Sequence, residues 1–307
     1  MKCNILALWA VTAIFASCSK DYNPGNVVAP ASGNYTLVSA MSELAVMPKT
    51  VTIDAATGGT FKGNSGTQYI FASNAFRTAT GATVTGMVTV QVSEYLKKSD
   101  MLFSGVLPIS GGEPLLSGGE INVTASQGGL ELKLNPNVPF TANMPMRGTD
   151  AAGMRLFTGK RDQATGQVNW MPVADSAVGI ATIGTDTISI ISNTLDYCNA
   201  DRFMSNPDYQ TFTVKAVVSG GQVVNDSLMG YTLYDTYNGV WPLYLSSGGV
   251  FHETHVPTIP VHFVVIGVIN GIFYGGITAA TPANGGSYQV ILTQITPSAF
   301  KTQVDAL

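Results

Sequence analysis

What most limits the fold open to this chain is a two-residue alternation of apolar and polar side chains, which recurs in short segments. Between Thr85 and Ser93, Val88, Val90 and Val92 fall on one side and Thr89, Gln91 and Ser93 on the other. Glu120–Ala125 and Leu130–Leu134 alternate likewise on either side of Gln127-Gly128-Gly129, and Thr211–Val218 does so through Phe212, Val214 and Ala216. Successive residues of an extended strand point to opposite faces, so these segments describe strands with one buried and one wet face. Val261–Val268 and Phe273–Ile277 differ in being apolar almost throughout, with Asn270-Gly271 between them. Asn-Gly is the strongest short hairpin signal, because both central residues of the tight turn need positive φ. That hairpin is expected at the centre of the molecule, covered on both faces.

Helical periodicity is scarce. The C-terminus carries the clearest instance: Thr296 suits an N-cap, Pro297 suits the first helical position, and Phe300, Val304 and Leu307 share a face. Short strands separated by turn residues indicate sandwiches or barrels. Strand patterning lapses over residues 141–153 and again near 199–210. The chain is therefore read as all-β: a β-sandwich over 35–147, a hairpin-rich connector over 148–198, a second β-sandwich domain over 199–307, and a short C-terminal helix.

The N-terminus reads as a leader. Lys2 precedes an apolar run from Ile5 to Ala16, about a dozen residues, well short of the roughly 20 that cross a bilayer. A charged start, a short apolar core and small residues before a break mark a secretory signal. The break, Phe15-Ala16-Ser17-Cys18, resembles the bacterial lipobox, which implies cleavage after residue 17 and lipidation of Cys18. Because one acyl chain holds only marginally and two hold stably, the diacyl or triacyl cysteine implied by that resemblance anchors the protein to a membrane. Residues 18–34 are polar, contain Gly and Pro, and read as a flexible tether. Ser19-Lys20-Asp21 resembles the signal that carries lipoproteins of the Bacteroidota to the outer surface of the outer membrane, although only one acidic residue is present.

Of the three cysteines, Cys3 lies in the leader and Cys18 takes the lipid, leaving Cys198 without a disulfide partner. About 290 mature residues are enough for a large core without cross-links. Charged residues make up 11% of the chain, the formal net charge is −4, and no basic run occurs. Nucleic acid binding therefore has no electrostatic footprint.

Gly59-Thr60-Phe61, Ala75-Phe76, Val84–Glu94, Ser99–Leu102, Leu115–Gly119 and Ile121–Ala125 follow one another in an order that resembles the ZU5-like β-sandwich of uncharacterised Bacteroidota lipoproteins. Met154–Phe157, Val168–Trp170, Tyr197–Phe203 and Val265–Tyr274 are similar to later parts of the same proteins. The resemblance implies a non-enzymatic protein and supplies no catalytic or ligand residues.

Several local groupings invite chemistry. His252, His255 and His262 lie within eleven residues and form a candidate metal set. The histidines of the zinc-protease motif stand four apart on a helix; here the first two stand three apart, and Pro257 and Pro260 prevent a continuing helix. Tyr231, Tyr234, Tyr237, Trp241 and Tyr244 form an aromatic cluster around a turn at Asn238-Gly239, suited to stacking on sugars or anchoring a protein. Asp175-Ser176-Ala177, Asp186-Thr187-Ile188 and Asp226-Ser227-Leu228 resemble the Bacteroidota O-glycosylation sequon, with glycan implied at Ser176, Thr187 and Ser227. Asp201-Arg202 reads as a structural ion pair at a turn, and Cys198 as a buried thiol. No phosphate loop, nucleophile elbow, dinucleotide fingerprint or EF-hand sequence occurs. The resulting expectation is a cofactor-free, non-enzymatic surface lipoprotein, held to the membrane by lipid and acting as a structural or interaction module toward an envelope protein. The alternative is carbohydrate binding through the aromatics at 231–244.

Overall fold

A computed structural model of the chain describes residues 36–146, 151–163, 165–174, 178–183, 186–205, 207–219 and 228–307. The alternating segments are strands, and among the described residues those before residue 204 build two large antiparallel sheets and a separate two-stranded one. In chain order they are β1 (Lys49–Asp54), β2 (Gly59–Lys62), β3 (Gln68–Phe71), β4 (Phe76–Arg77), β5 (Met87–Tyr95), β6 (Ile109–Ser110), β7 (Glu113–Gln127) and β8 (Leu130–Glu131). They continue with β9 (Lys133–Leu134), β10 (Phe140–Pro145), β11 (Arg155–Arg161), β12 (Val168–Pro172), β13 (Gly179–Ile183), β14 (Thr187–Ser192) and β15 (Asp196–Phe203). The larger sheet runs β1-β5-β7-β15-β11-β12, with β6 and β8 also on β7; the smaller runs β13-β14-β10-β3-β2, and β4 pairs with β9.

β7 is the spine of this half, pairing Thr89↔Ser126 through Tyr95↔Glu120 with β5 and Asp196↔Val123 through Phe203↔Leu115 with β15. Val88, Val90, Val92, Ile121, Val123, Cys198 and Ala200 on the larger sheet pack against Tyr69, Phe71, Phe140, Met144, Ile188 and Ile190 on the smaller. Burying each large apolar side chain stabilises by about 1.5–3 kcal/mol, so this interior needs no disulfide. β11, β12, β13, β14 and the first residues of β15, all from the segment read as a connector, are built into these two sheets.

A second sandwich was expected in the C-terminal third, but those strands close into a barrel. They are β16 (Tyr209–Val218), β17 (Leu228–Tyr234), β18 (Val240–Ser247), β19 (Val250–Pro257), β20 (Val261–Ile269), β21 (Ile272–Ala280) and β22 (Gly286–Gln294), ordered β16-β19-β18-β17-β20-β21-β22. Closure comes from the parallel pairing of β22 with β16, Phe212↔Gly286 through Val218↔Leu292. A closed sheet has no edge to protect. Phe212, Val214, Trp241, Leu243, Phe251, Phe263, Val265 and Leu292 fill the inside. The β20–β21 hairpin turns at Asn270 (φ 52°) and Gly271 (φ 76°), the positive pair that its sequence demands.

Among the described residues, three helices accompany the sheets: α1 (Leu37–Leu44), α2 (Lys98–Ser104) and α3 (Pro297–Asp305). α1 is capped by Thr36, whose hydroxyl accepts from Ser39 N at 3.1 Å, and α3 by Thr296, which accepts from Ala299 N at 3.3 Å. Their apolar faces, through Leu37, Leu44, Leu102, Phe103, Phe300 and Val304, join a middle layer with Phe157, Trp170 and Tyr197 of the larger sheet and Tyr231, Leu233, Val264 and Ile266 of the barrel wall. β20 is therefore buried on both sides, as its unbroken apolar run requires. The described residues form one compact unit.

Candidate functional site

The aromatic cluster is divided by strand parity. In the β17–β18 ladder Tyr231 pairs with Pro242 and Thr232 with Trp241. Trp241 (1% exposed) and Tyr234 (0%) point into the barrel, while Tyr231 faces outward into the middle apolar layer. Tyr237 is half-buried against the barrel core. Asn238 is seated on the larger sheet: its carbonyl accepts from Ser117 N at 2.8 Å, and its Nδ2 donates to Leu96 O at 3.2 Å. The five rings therefore form no common platform. Tyr244 alone of them is exposed, at 58% of its surface, on the face of β18 opposite to that of Trp241.

Tyr244 stands on the rim of a groove of about 300 Å³ whose other walls include Leu107, Ile109, Asp162, Gln167 and Asn169. That volume lies at the small end of ligand clefts, which combine an apolar wall with a few polar groups. A second, more open groove of about 520 Å³ along β11 and β12 shares Asp162 and Asn169 and ends at the exposed Met171. The two grooves meet at the β11–β12 hairpin, where Asp162 and Asn169 border both.

Its walls are held in place by specific bonds. At the hairpin turn Asp162 Oδ1 accepts from Thr165 N at 2.7 Å and Thr165 Oγ1 at 3.0 Å, an arrangement that Asp supports in turns. Arg161 donates through Nε to Tyr197 OH at 2.9 Å, with its guanidinium over that ring, and through its other nitrogens to the carbonyls of Gly166 and Ser104. On the opposite wall, Trp170 Nε1 donates to Leu107 O at 2.9 Å and Ser110 Oγ to Trp170 O at 2.8 Å. An exposed ring in one groove with amide and carboxylate residues on anchored backbone can stack on a flat apolar face while its neighbours exchange hydrogen bonds with the polar edge.

The three histidines do not gather. His252 is exposed on the outer face of β19. His255 is half-buried, its Nδ1 2.8 Å from Thr254 Oγ1 and its ring between Trp241 and Tyr209, with centroids at 5.6 and 5.5 Å. His262 Nδ1 lies 2.7 Å from Asp235 Oδ1. Among the described residues no group of three or more His, Cys, Asp or Glu side chains is placed to hold a metal. The separation follows from the strands: β19 and β20 are not neighbours in the barrel, so His262 cannot meet the other two across a ladder.

Thr187 opens β14, is half-buried, and shares a 3.2 Å hydrogen bond with Asp186. Ser176, Ser227 and Cys18 lie outside the described residues. Cys198 is fully buried, with its sulfur 3.4 Å from Ser192 Oγ, and burial pushes the thiol up to about 12. The expected Asp201–Arg202 ion pair is not formed: both sit within β15, where successive side chains point to opposite faces, and Asp201 is bonded instead by Asn199 Nδ2 at 2.7 Å. Glu113 accepts from Tyr209 OH at 2.8 Å, while Glu120 is buried in β7.

The groove's polar residues were not singled out by sequence. Asp162-Gln163-Ala164-Thr165-Gly166 marks a turn and nothing more, and only tertiary packing brings Gln167 and Asn169 into one groove with Tyr244. No family model matches the chain, and no curated protein matches it.

Proposed function

We propose that this is a non-enzymatic lipoprotein, anchored through Cys18 at the outer surface of the outer membrane, whose β-body is an interaction module. The layered half is read as a ZU5-like sandwich. The observation that carries the interaction reading is Tyr244, a large ring 58% exposed on the rim of the groove. An exposed aromatic beside a bonded, pre-ordered cleft costs little entropy to engage, which is the usual make-up of a binding anchor.

A narrower reading takes a saccharide as the ligand. It is favoured by Asp162, Gln167 and Asn169, which line the same groove as the ring, and by the second groove, which shares Asp162 and Asn169 with it. The original five-ring platform is replaced by Tyr244 alone. Screening the soluble body on a glycan array, then titrating hits against Tyr244→Ala and Asn169→Ala, tests this. Each substitution is expected to weaken binding about tenfold, or 1.4 kcal/mol. Binding that survives Tyr244→Ala unchanged removes the groove from the proposal, and retention of protein partners with no glycan hit leaves the broader reading in place. Mass spectrometry of the native N-terminus tests the anchor: an acylated Cys18 is expected, and an unmodified one overturns it.

A further inference from the structure

In the middle of the larger sheet, β7 carries one extra residue opposite β15. The ladder steps from Asn199↔Glu120 to Asp201↔Ser117, so Gly118 and Gly119 together oppose Ala200. Neither has room for a side chain. A Cβ on Gly118 would lie 2.8 Å from Met154 Sδ and 2.9 Å from Ala200 O; one on Gly119, whose φ is +133°, would lie 2.9 Å from Leu96 Cδ2. A bulge re-aims the side chains beside it. Here it turns Ser117 and Glu120 to the face that Asn199 and Asp201 also occupy, away from Ile121 and Cys198. All four are completely buried.

That burial leaves oxygen atoms bare. Asn199 Nδ2 donates to Asp201 Oδ2. Asn199 beside Glu120, and Ser117 and Gly118 N beside Asp201, favour the charged forms, yet Asn199 Oδ1, Asp201 Oδ1 and both carboxylate oxygens of Glu120 lack a hydrogen bond of good geometry among the described residues. Among those residues, too, no Lys, Arg or His forms an ion pair with either carboxylate. Burial raises the pKa of both acids well above the usual carboxylate range, and the charge of Asp201 adds to the rise at Glu120. Buried charge is costly unless paired, and native interiors leave few polar atoms unbonded. Two adjacent carboxylates are oxygen donors of the type that a hard divalent cation takes, and a turn of the Asn199 amide about its last bond would add its oxygen to them in place of its nitrogen.

We propose that Glu120, Asp201 and Asn199 bind one buried calcium-class cation that ties β7 to β15. The site sits where the barrel docks, since Ser117 N donates to Asn238 O. It therefore stiffens the joint between the sheets and the barrel.

Elemental analysis of the purified full mature chain, after exhaustive exchange into metal-free buffer, is expected to find one calcium per molecule. Refolding from denaturant with CaCl2 is expected to give a Tm at least about 5 °C above that obtained with EDTA. Glu120→Gln with Asp201→Asn should remove both the metal and the difference. Asn199→Asp, which adds a third carboxylate, is the control for variants that fail to fold: it should enlarge the calcium-dependent shift. Metal-free protein with the same Tm in calcium and EDTA overturns the proposal. So does an infrared carbonyl band from a protonated carboxyl that vanishes in Glu120→Gln, since the pair would then share a proton instead.

Discussion

Trp241 and Tyr244 are three residues apart on one strand, yet they belong to different parts of the protein's physics. Trp241 fills the barrel, and Trp241→Ala should cost about 3–5 kcal/mol in urea denaturation, through lost burial and the cavity left behind. Tyr244→Ala should change stability by no more than about 0.5 kcal/mol and act on binding alone. Equal stability losses for the two would show that the ring on the groove is structural. Sequence composition placed all five aromatics together; burial, which separates them, depends on strand parity and on what covers each outer face. The thiol of Cys198 belongs to the same scale. In the fold it stays protonated to about 12, whereas in the unfolded chain it ionises near the ordinary 9.0. Above about pH 9 the unfolded state then holds fewer protons, and stability falls as pH rises, by up to about 1.4 kcal/mol per unit for this group. Tyr231, raised by burial from 10.0 to about 12, adds to the decline above about pH 10. Cys198→Ala should flatten the fall between about pH 9 and 10 in denaturation measured at stepped pH. An unchanged slope would mean the thiol is not protected.

At the level of elements, the C-terminal helix was readable because its signals are local. Thr296 caps it, Pro297 begins it, and Phe300 and Val304 are buried on one face. The Asn270-Gly271 hairpin was readable for the same reason. α1 and α2 were not, since each is only about two turns long and lies in sequence without sustained period. Their stability is tertiary: Phe103 of α2 meets Phe300 of α3 edge-on at 6.5 Å, and Lys301 bonds Asp100 at 3.4 Å. Phe300 also packs on Phe273 of the barrel at 5.9 Å. Phe300→Ala should therefore cost about 3–5 kcal/mol, far more than losing a surface helix, with the loss read by chemical denaturation. A change below about 1 kcal/mol would indicate that α3 merely rests on the surface.

For the whole molecule, the middle apolar layer is the decisive feature. It draws Trp170 and Tyr197 from the sheets, Leu102 and Phe300 from the helices, and Tyr231 and Val264 from the barrel into one cluster. Cutting the chain between β15 and β16 leaves each half with half of that layer bare. Neither half is expected to give a cooperative thermal transition when expressed alone, while the two co-expressed should reassociate. Independent, reversible melting of a fragment covering 207–307 would show that the barrel is self-sufficient.

Alternation and turn chemistry determined on their own that this chain is made of β-strands, where its tightest hairpin turns, and how its last helix begins. Those properties rest on interactions within a few residues. Tertiary structure alone decided that the C-terminal strands close, because the pairing of β16 with β22 joins segments some seventy residues apart, and a period of two is common to sandwiches and barrels alike. It also decided that Glu120 faces Asn199 and that Asp162 and Tyr244 line one groove. Such meetings are set by register and packing between distant strands, which no local pattern encodes.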